Sequence, residues 1–137
     1  MIHVFSRNSH MPLAGKRILV VEDEAMVALL VEDELIDVGA QVLGPAASVP
    51  TALAILAEGL AEGGVDAAVL DLNLSGESAA PVADALDRGG VPFLVISAYA
   101  AGLGPRHPVP RLPKPFAPHE LLVMLQKLMA PLPLRNA

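Results

Sequence analysis

The sequence predicts a doubly wound α/β domain: a five-stranded parallel sheet with helices on both faces. Three features of its 137 residues carry this reading. Strand-like and helix-like segments alternate from Lys16 onward. The strand-like runs are apolar throughout rather than inside-out, the pattern of strands buried on both faces. Neither an internal repeat nor a linker divides the chain, and its length fits one domain.

Residues 1–15 are unpatterned and read as an N-terminal tail, 16–130 as the domain and 131–137 as a short Pro-rich C-terminal tail. The first strand is Ile18-Leu19-Val20-Val21, with Glu22-Asp23-Glu24 behind it. A helix follows, with Val27, Leu30, Val31, Leu35 and Val38 on one face, Glu32, Asp33 and Asp37 off it, and Gly39 as its stop. Gln41-Val42-Leu43 is a weaker strand, ended by Gly44-Pro45. Ser48 caps a second helix that has Pro50 in its first turn, carries Leu53, Leu56, Ala57 and Leu60 at helical spacing, and ends at Gly63-Gly64. Ala67 to Leu70 form the third strand, which runs into Asp71, Leu72, Asn73 and a Ser75-Gly76 turn. Pro81 starts a third helix, closed by Gly89-Gly90, and Val91 to Ile96 is the fourth strand. Between Ala98 and Pro110, two glycines and three prolines leave the fourth helix short or absent. Arg111-Leu112-Pro113 is the last strand, and the last helix carries Leu121, Leu122, Leu125, Leu128 and Met129.

Composition narrows the function. With 15 acidic against 9 basic residues the net charge is −6, and aromatic residues make up 3%. Nucleic-acid binding needs a basic footprint and often stacking rings, so a cation or a partner protein fits better. Cysteine is absent, which excludes disulfides, thiolate metal sites and cysteine nucleophiles and fits a cytoplasmic chain. No apolar run approaches the ~18 residues of a membrane span, and the N-terminus lacks the apolar core of a signal peptide. The four histidines, His3, His10, His107 and His119, show no metal-ligand spacing and read as surface residues.

In a parallel sheet all C-terminal strand ends share one edge, where ligands of such folds bind. That edge should collect Glu22, Asp23, Asp71, Ser97 and Lys114. Gathered carboxylates repel and raise one another's pKa, and a divalent ion relieves this. Oxygen donors without cysteine suit a hard ion such as Mg²⁺. A metal and an ammonium together can neutralise a transferring phosphoryl group, with one carboxylate as nucleophile. Singly, each residue has an ordinary reading. Glu22, Asp23 and Glu24 are acids that a helix N-terminus favours. Asp71 and Asn73 are common in turns. Ser97 is a strand-end hydroxyl, and Lys114 a solvated cation.

The segments "ILVVEDE", "VLDLNL", "ISA" and "LPKPF" stand in the order and spacing of the four signature segments of receiver domains of two-component response regulators. The resemblance covers roughly Lys16 to Met129 and implies a flavodoxin-like fold. It also implies Asp71 as phosphoacceptor, Asp23 as direct metal ligand beside Asp71, Glu22 acting through water, and Asn73 lending a backbone carbonyl to Mg²⁺. By the same resemblance Ser97 is the hydroxyl that moves to the phosphoryl group, and Lys114 pairs with Asp71 or its phosphoryl oxygens through a cis Lys114-Pro115 bond. The implied partner is a sensor histidine kinase or a histidine phosphotransfer protein, with slow self-dephosphorylation and output by protein–protein contact from a stand-alone receiver.

Two features depart from the family pattern: Arg111, and the short Pro- and Gly-rich segment between Ser97 and Lys114, where the family has its fourth helix. Arg111 stands where an aromatic usually reports phosphorylation, so Tyr99, two residues after Ser97, is the candidate for that role. "PFLVISAY" is similar to an α-proteobacterial subgroup whose fourth strand reads roughly Pro-Phe-x-Phe-Ala-Thr-Gly-Tyr, with Ser97 for the threonine. A haloacid-dehalogenase-like phosphatase also uses a strand-end Asp, but needs a second acid where Asn73 stands. A phosphorylation-independent binding module is the third reading, and the acidic pair with Asp71 and Lys114 speaks against it.

Overall fold

The computed structural model describes residues 11–98 and 109–131. Five strands form one parallel sheet: β1 (Arg17–Val21), β2 (Gln41–Ala46), β3 (Ala67–Asp71), β6 (Phe93–Ser97) and β7 (Arg111–Pro113). Their order is β2-β1-β3-β6-β7, so the chain runs outward from β1 to β2 and then crosses back to β3. That reversal opens a crevice beyond the C-terminal ends of β1 and β3. A small antiparallel hairpin, β4 (Asn73–Leu74) with β5 (Glu77–Ser78), stands directly after β3. The helices are α1 (Ala25–Asp37), α2 (Val49–Ala61), α3 (Ala80–Arg88) and α4 (Pro118–Met129).

Alternate strand residues feed two separate cores. Ile18, Val20, Val69, Leu94 and Ile96 pack under α1 and α4 against Val31, Leu35, Leu121 and Leu125. Leu19, Val21, Leu70, Phe93 and Val95 pack under α2 and α3 against Leu56, Val82 and Leu86. Two buried faces explain why β1, β3 and β6 have no polar alternation.

Several expectations are refined. Within residues 11–15, read as tail, Leu13 is buried in the α1 side of the core and its N–H donates to Val38 O at 3.1 Å, while its neighbours stay exposed. β2 does not end at Gly44-Pro45 but runs through a register shift to Ala46. Gly44, at φ +94°, makes the shift possible, since a Cβ there would lie 2.9 Å from Val20 O. On α1, Ala28, Val31 and Leu35 face the core, as does Val38 just after it, whereas Leu30 points to solvent with Met26, Leu29 and Ile36. This helix has more apolar residues than one face can bury. Ser48 caps α2 as expected, accepting a hydrogen bond from Thr51 N at 3.3 Å. On that helix Ala52, Leu56 and Gly59 are buried, while Leu60 is 41% exposed. The expectation for the fourth helix falls largely outside the described residues. No helix among the described residues is long and apolar enough to cross a membrane.

Candidate functional site

The parallel sheet brings Asp23, Asp71, Ser97 and Lys114 to one open cleft of about 230 Å³, with Glu24 and the β4–β5 hairpin at its mouth. Each side chain is set by the backbone that carries it. Glu22 N–H donates to Ala46 O at 2.9 Å, so the shifted end of β2 holds the first residue after β1. Lys114 N–H donates to Ser97 O at 2.8 Å, tying the residue after β7 to the end of β6. The Lys114–Pro115 bond is cis, as the resemblance implies, and so is Gly44–Pro45.

The carboxylates differ in surroundings. Glu22 is 2% exposed. Its Oε2 accepts from Glu24 N–H at 3.0 Å, while its Oε1 has no aligned hydrogen-bond donor. The Lys114 ammonium stands 2.8 Å from that Oε1, a charge contact without hydrogen-bond geometry. Burial, then the neighbouring Asp71 carboxyl, pushes the Glu22 pKa up to about 7. Asp71 is 5% exposed, accepts from Asn73 N–H at 3.3 Å and lies 3.4 Å from Lys114 Nζ. Burial works against ionisation of Asp23, but hydrogen bonds from Ser75 outweigh it and hold that carboxyl below its usual value. Burial likewise works against the charge on Lys114, and the Glu22, Glu24 and Asp71 carboxylates overcome it and raise its pKa.

Two residues at the mouth, Ser75 and Glu24, read from sequence only as a turn residue and a helix-start acid. Ser75 Oγ donates to Asp23 Oδ2 at 2.8 Å, bridging the hairpin to the end of β1. Ser75 and Gly76 both have positive φ, +55° and +89°, the signature of a type I′ hairpin turn. Ser75 pays about 1–2 kcal/mol for that backbone, and the turn is fixed by Gly76 N–H donating to Asn73 Oδ1 at 2.7 Å. Glu24 Oε1 lies 2.7 Å from Lys114 Nζ. A Ser-Gly pair just past a strand end signals the turn, but nothing in the sequence signals the contact to residue 23 or the one from residue 24 to 114.

Oxygens of Glu22, Asp23 and Asp71 lie within 4.8 Å of one another, close enough to hold one metal ion. The donors are all hard oxygens, and the undonated buried Oε1 of Glu22 has capacity for a cation or its water. Ser97 is buried at the floor of the cleft. Asn73 and Arg111 are exposed, Arg111 on β7 outside the cleft lining. His119 is exposed, while Tyr99, His3, His10 and His107 lie outside the described residues.

No family model matches the chain, and no curated protein matches it. Solved structures do. SdrG from Sphingomonas melonis Fr1 is 34% identical, over 85% of this chain and 98% of that one, with a TM-score of 0.66. The receiver domain of the hybrid histidine kinase CckA is 28% identical, over 83% and 99%, also with a TM-score of 0.66. The receiver domain of the PhyR response regulator from Erythrobacter litoralis superimposes with a TM-score of 0.72 at 24% identity, over 89% and 98%. The signature segments, the strand order and this level of identity agree, and the chain belongs to the receiver domains of two-component response regulators.

Proposed function

We propose that this receiver accepts a phosphoryl group on Asp71, with Mg²⁺, from the phosphohistidine of a sensor kinase or phosphotransfer protein in the cytoplasm, and signals by protein–protein contact. The observation that carries the reading is the cleft itself. A buried acceptor carboxylate lies 3.4 Å from a lysine ammonium and within 4.8 Å of two further acids.

In the step proposed, an Asp71 oxygen attacks phosphorus in line with the P–N bond of phosphohistidine. That bond's electron pair leaves with the imidazole ring, and an acyl phosphate forms. Lys114 neutralises charge on the phosphoryl oxygens, and the Ser97 hydroxyl donates to one of them. Asp23, Asp71 and the Asn73 carbonyl would hold Mg²⁺, with Glu22 acting through water, and the ion when bound offsets the charge of both acids and phosphoryl group. Burial at the sheet edge restricts water, which favours slow hydrolysis of the acyl phosphate.

Labelling by acetyl phosphate tests the reading. Wild-type protein is expected to take up label only with Mg²⁺, and Asp71→Asn to take up none. Label that persists in Asp71→Asn refutes the assignment.

A further inference from the structure

Lys114 meets three carboxylates, and its shortest contact is with the one outside the phosphoacceptor scheme. Nζ lies 2.7 Å from Glu24 Oε1, 2.8 Å from Glu22 Oε1 and 3.4 Å from Asp71 Oδ2. Glu24 is the N-cap of α1, with the extended backbone of that position. Asp, Asn, Ser or Thr there accepts an N–H from the first turn of the helix, a bond for which the longer glutamate is poorly suited. Glu24 makes no such bond. Its side chain, 60% exposed, reaches across the cleft mouth to a lysine that is 12% exposed. Its own N–H meanwhile donates to Glu22 Oε2 at 3.0 Å, so the residue touches the site through both backbone and side chain.

We propose that Glu24 is a positioning residue that draws the Lys114 ammonium toward the rim, away from Asp71, and so weakens the site's hold on a phosphoryl group. The inference rests on the phosphoacceptor reading above. A phosphoryl group on Asp71 competes with Glu24 for the same three ammonium protons. Release of Glu24 leaves Lys114 to the buried carboxyls of Glu22 and Asp71 and to the phosphoryl oxygens. The pair joins an exposed carboxylate to a half-buried lysine, and the upper end of the range for surface pairs, about fivefold in affinity, sets the scale.

Beryllofluoride, a phosphoryl mimic, is titrated with saturating Mg²⁺ against wild type, Glu24→Gln, Glu24→Asp and Glu77→Gln. Mg²⁺ affinity is measured beside it. Glu24→Gln is expected to bind the mimic about fivefold more tightly and to lose label from acetyl phosphate more slowly. Glu24→Asp keeps the charge, but its shorter side chain suits the helix cap instead of the lysine, so it is expected to gain affinity as well. Glu77→Gln removes a charge from the exposed hairpin without touching Lys114 and is expected to match wild type. An unchanged affinity in both Glu24 variants overturns the proposal. So does an equal gain in Glu77→Gln, which assigns the effect to net charge. Mimic binding by wild type keeps the phosphoacceptor reading intact in either event, whereas its absence in wild type overturns both.

Discussion

Glu22 is a carboxylate almost sealed from water, with one buried oxygen facing an ammonium and no aligned donor. Its pKa, about 7 in the fold against an ordinary 4.5, makes the metal-free protein pH-sensitive. A group that holds its proton more tightly when folded gives stability that is complete below about 4.5 and is lost as the pH rises through about 7. Melting of the metal-free protein should therefore fall between pH 5 and pH 8, by on the order of 2 kcal/mol from this group. Glu22→Gln should flatten that slope, and Mg²⁺ should raise the melting temperature more at pH 8 than at pH 5.5. A slope unchanged in Glu22→Gln would assign the effect elsewhere. At this scale the sequence is uneven. Asp71 and Lys114 are legible because the parallel sheet brings their strand ends to one edge and the four signature segments stand in order, although each residue singly has an ordinary reading. Glu24 is not, since an acid at a helix start is ordinary and its partner stands 90 residues away.

Among the elements, β2 shows how a backbone irregularity serves the site. Read from sequence, Gly44-Pro45 ends the strand, because glycine and proline ordinarily break one. The chain uses the positive φ of Gly44 to step past the bulge and resume pairing at Ala46, whose carbonyl holds Glu22 N–H. Gly44→Ala forces a Cβ against Val20 O and Ala46 N and a side chain into the left-handed region. It is expected to cost ~2 kcal/mol or more in chemical denaturation and to weaken Mg²⁺ binding by displacing Glu22. An unchanged Mg²⁺ affinity in a destabilised variant would sever that link. The strands β1, β3 and β6 were legible from their apolar runs to within a residue or two, β6 beginning at Phe93 rather than Val91. The hairpin β4–β5 was legible only as a turn, since two-residue strands have no periodicity to read.

At the scale of the molecule, charge and apolar surface divide the work of meeting a partner. Met26, Leu29, Leu30 and Ile36 expose apolar side chains on α1, the helix that begins at the cleft rim. On the proposed phosphoacceptor reading, a protein that delivers phosphoryl to Asp71 has to cover that rim, and the stripe continues from it. Leu29→Asp is expected to slow transfer from a phosphohistidine protein at least tenfold while leaving labelling by acetyl phosphate intact. Equal losses with both donors would mean that the substitution damages the cleft. The overall fold was legible because alternating segments and doubly buried strands admit few arrangements. The choice of which α1 leucine faces inward was not, because the helix is apolar on more than one side. The two outermost strands, β2 and β7, each carry a proline, Pro45 and Pro113, where a continuous strand would offer an amide N–H. A stray strand from another molecule finds a broken ladder on either flank. Both prolines therefore work against edge-to-edge joining of sheets from two molecules.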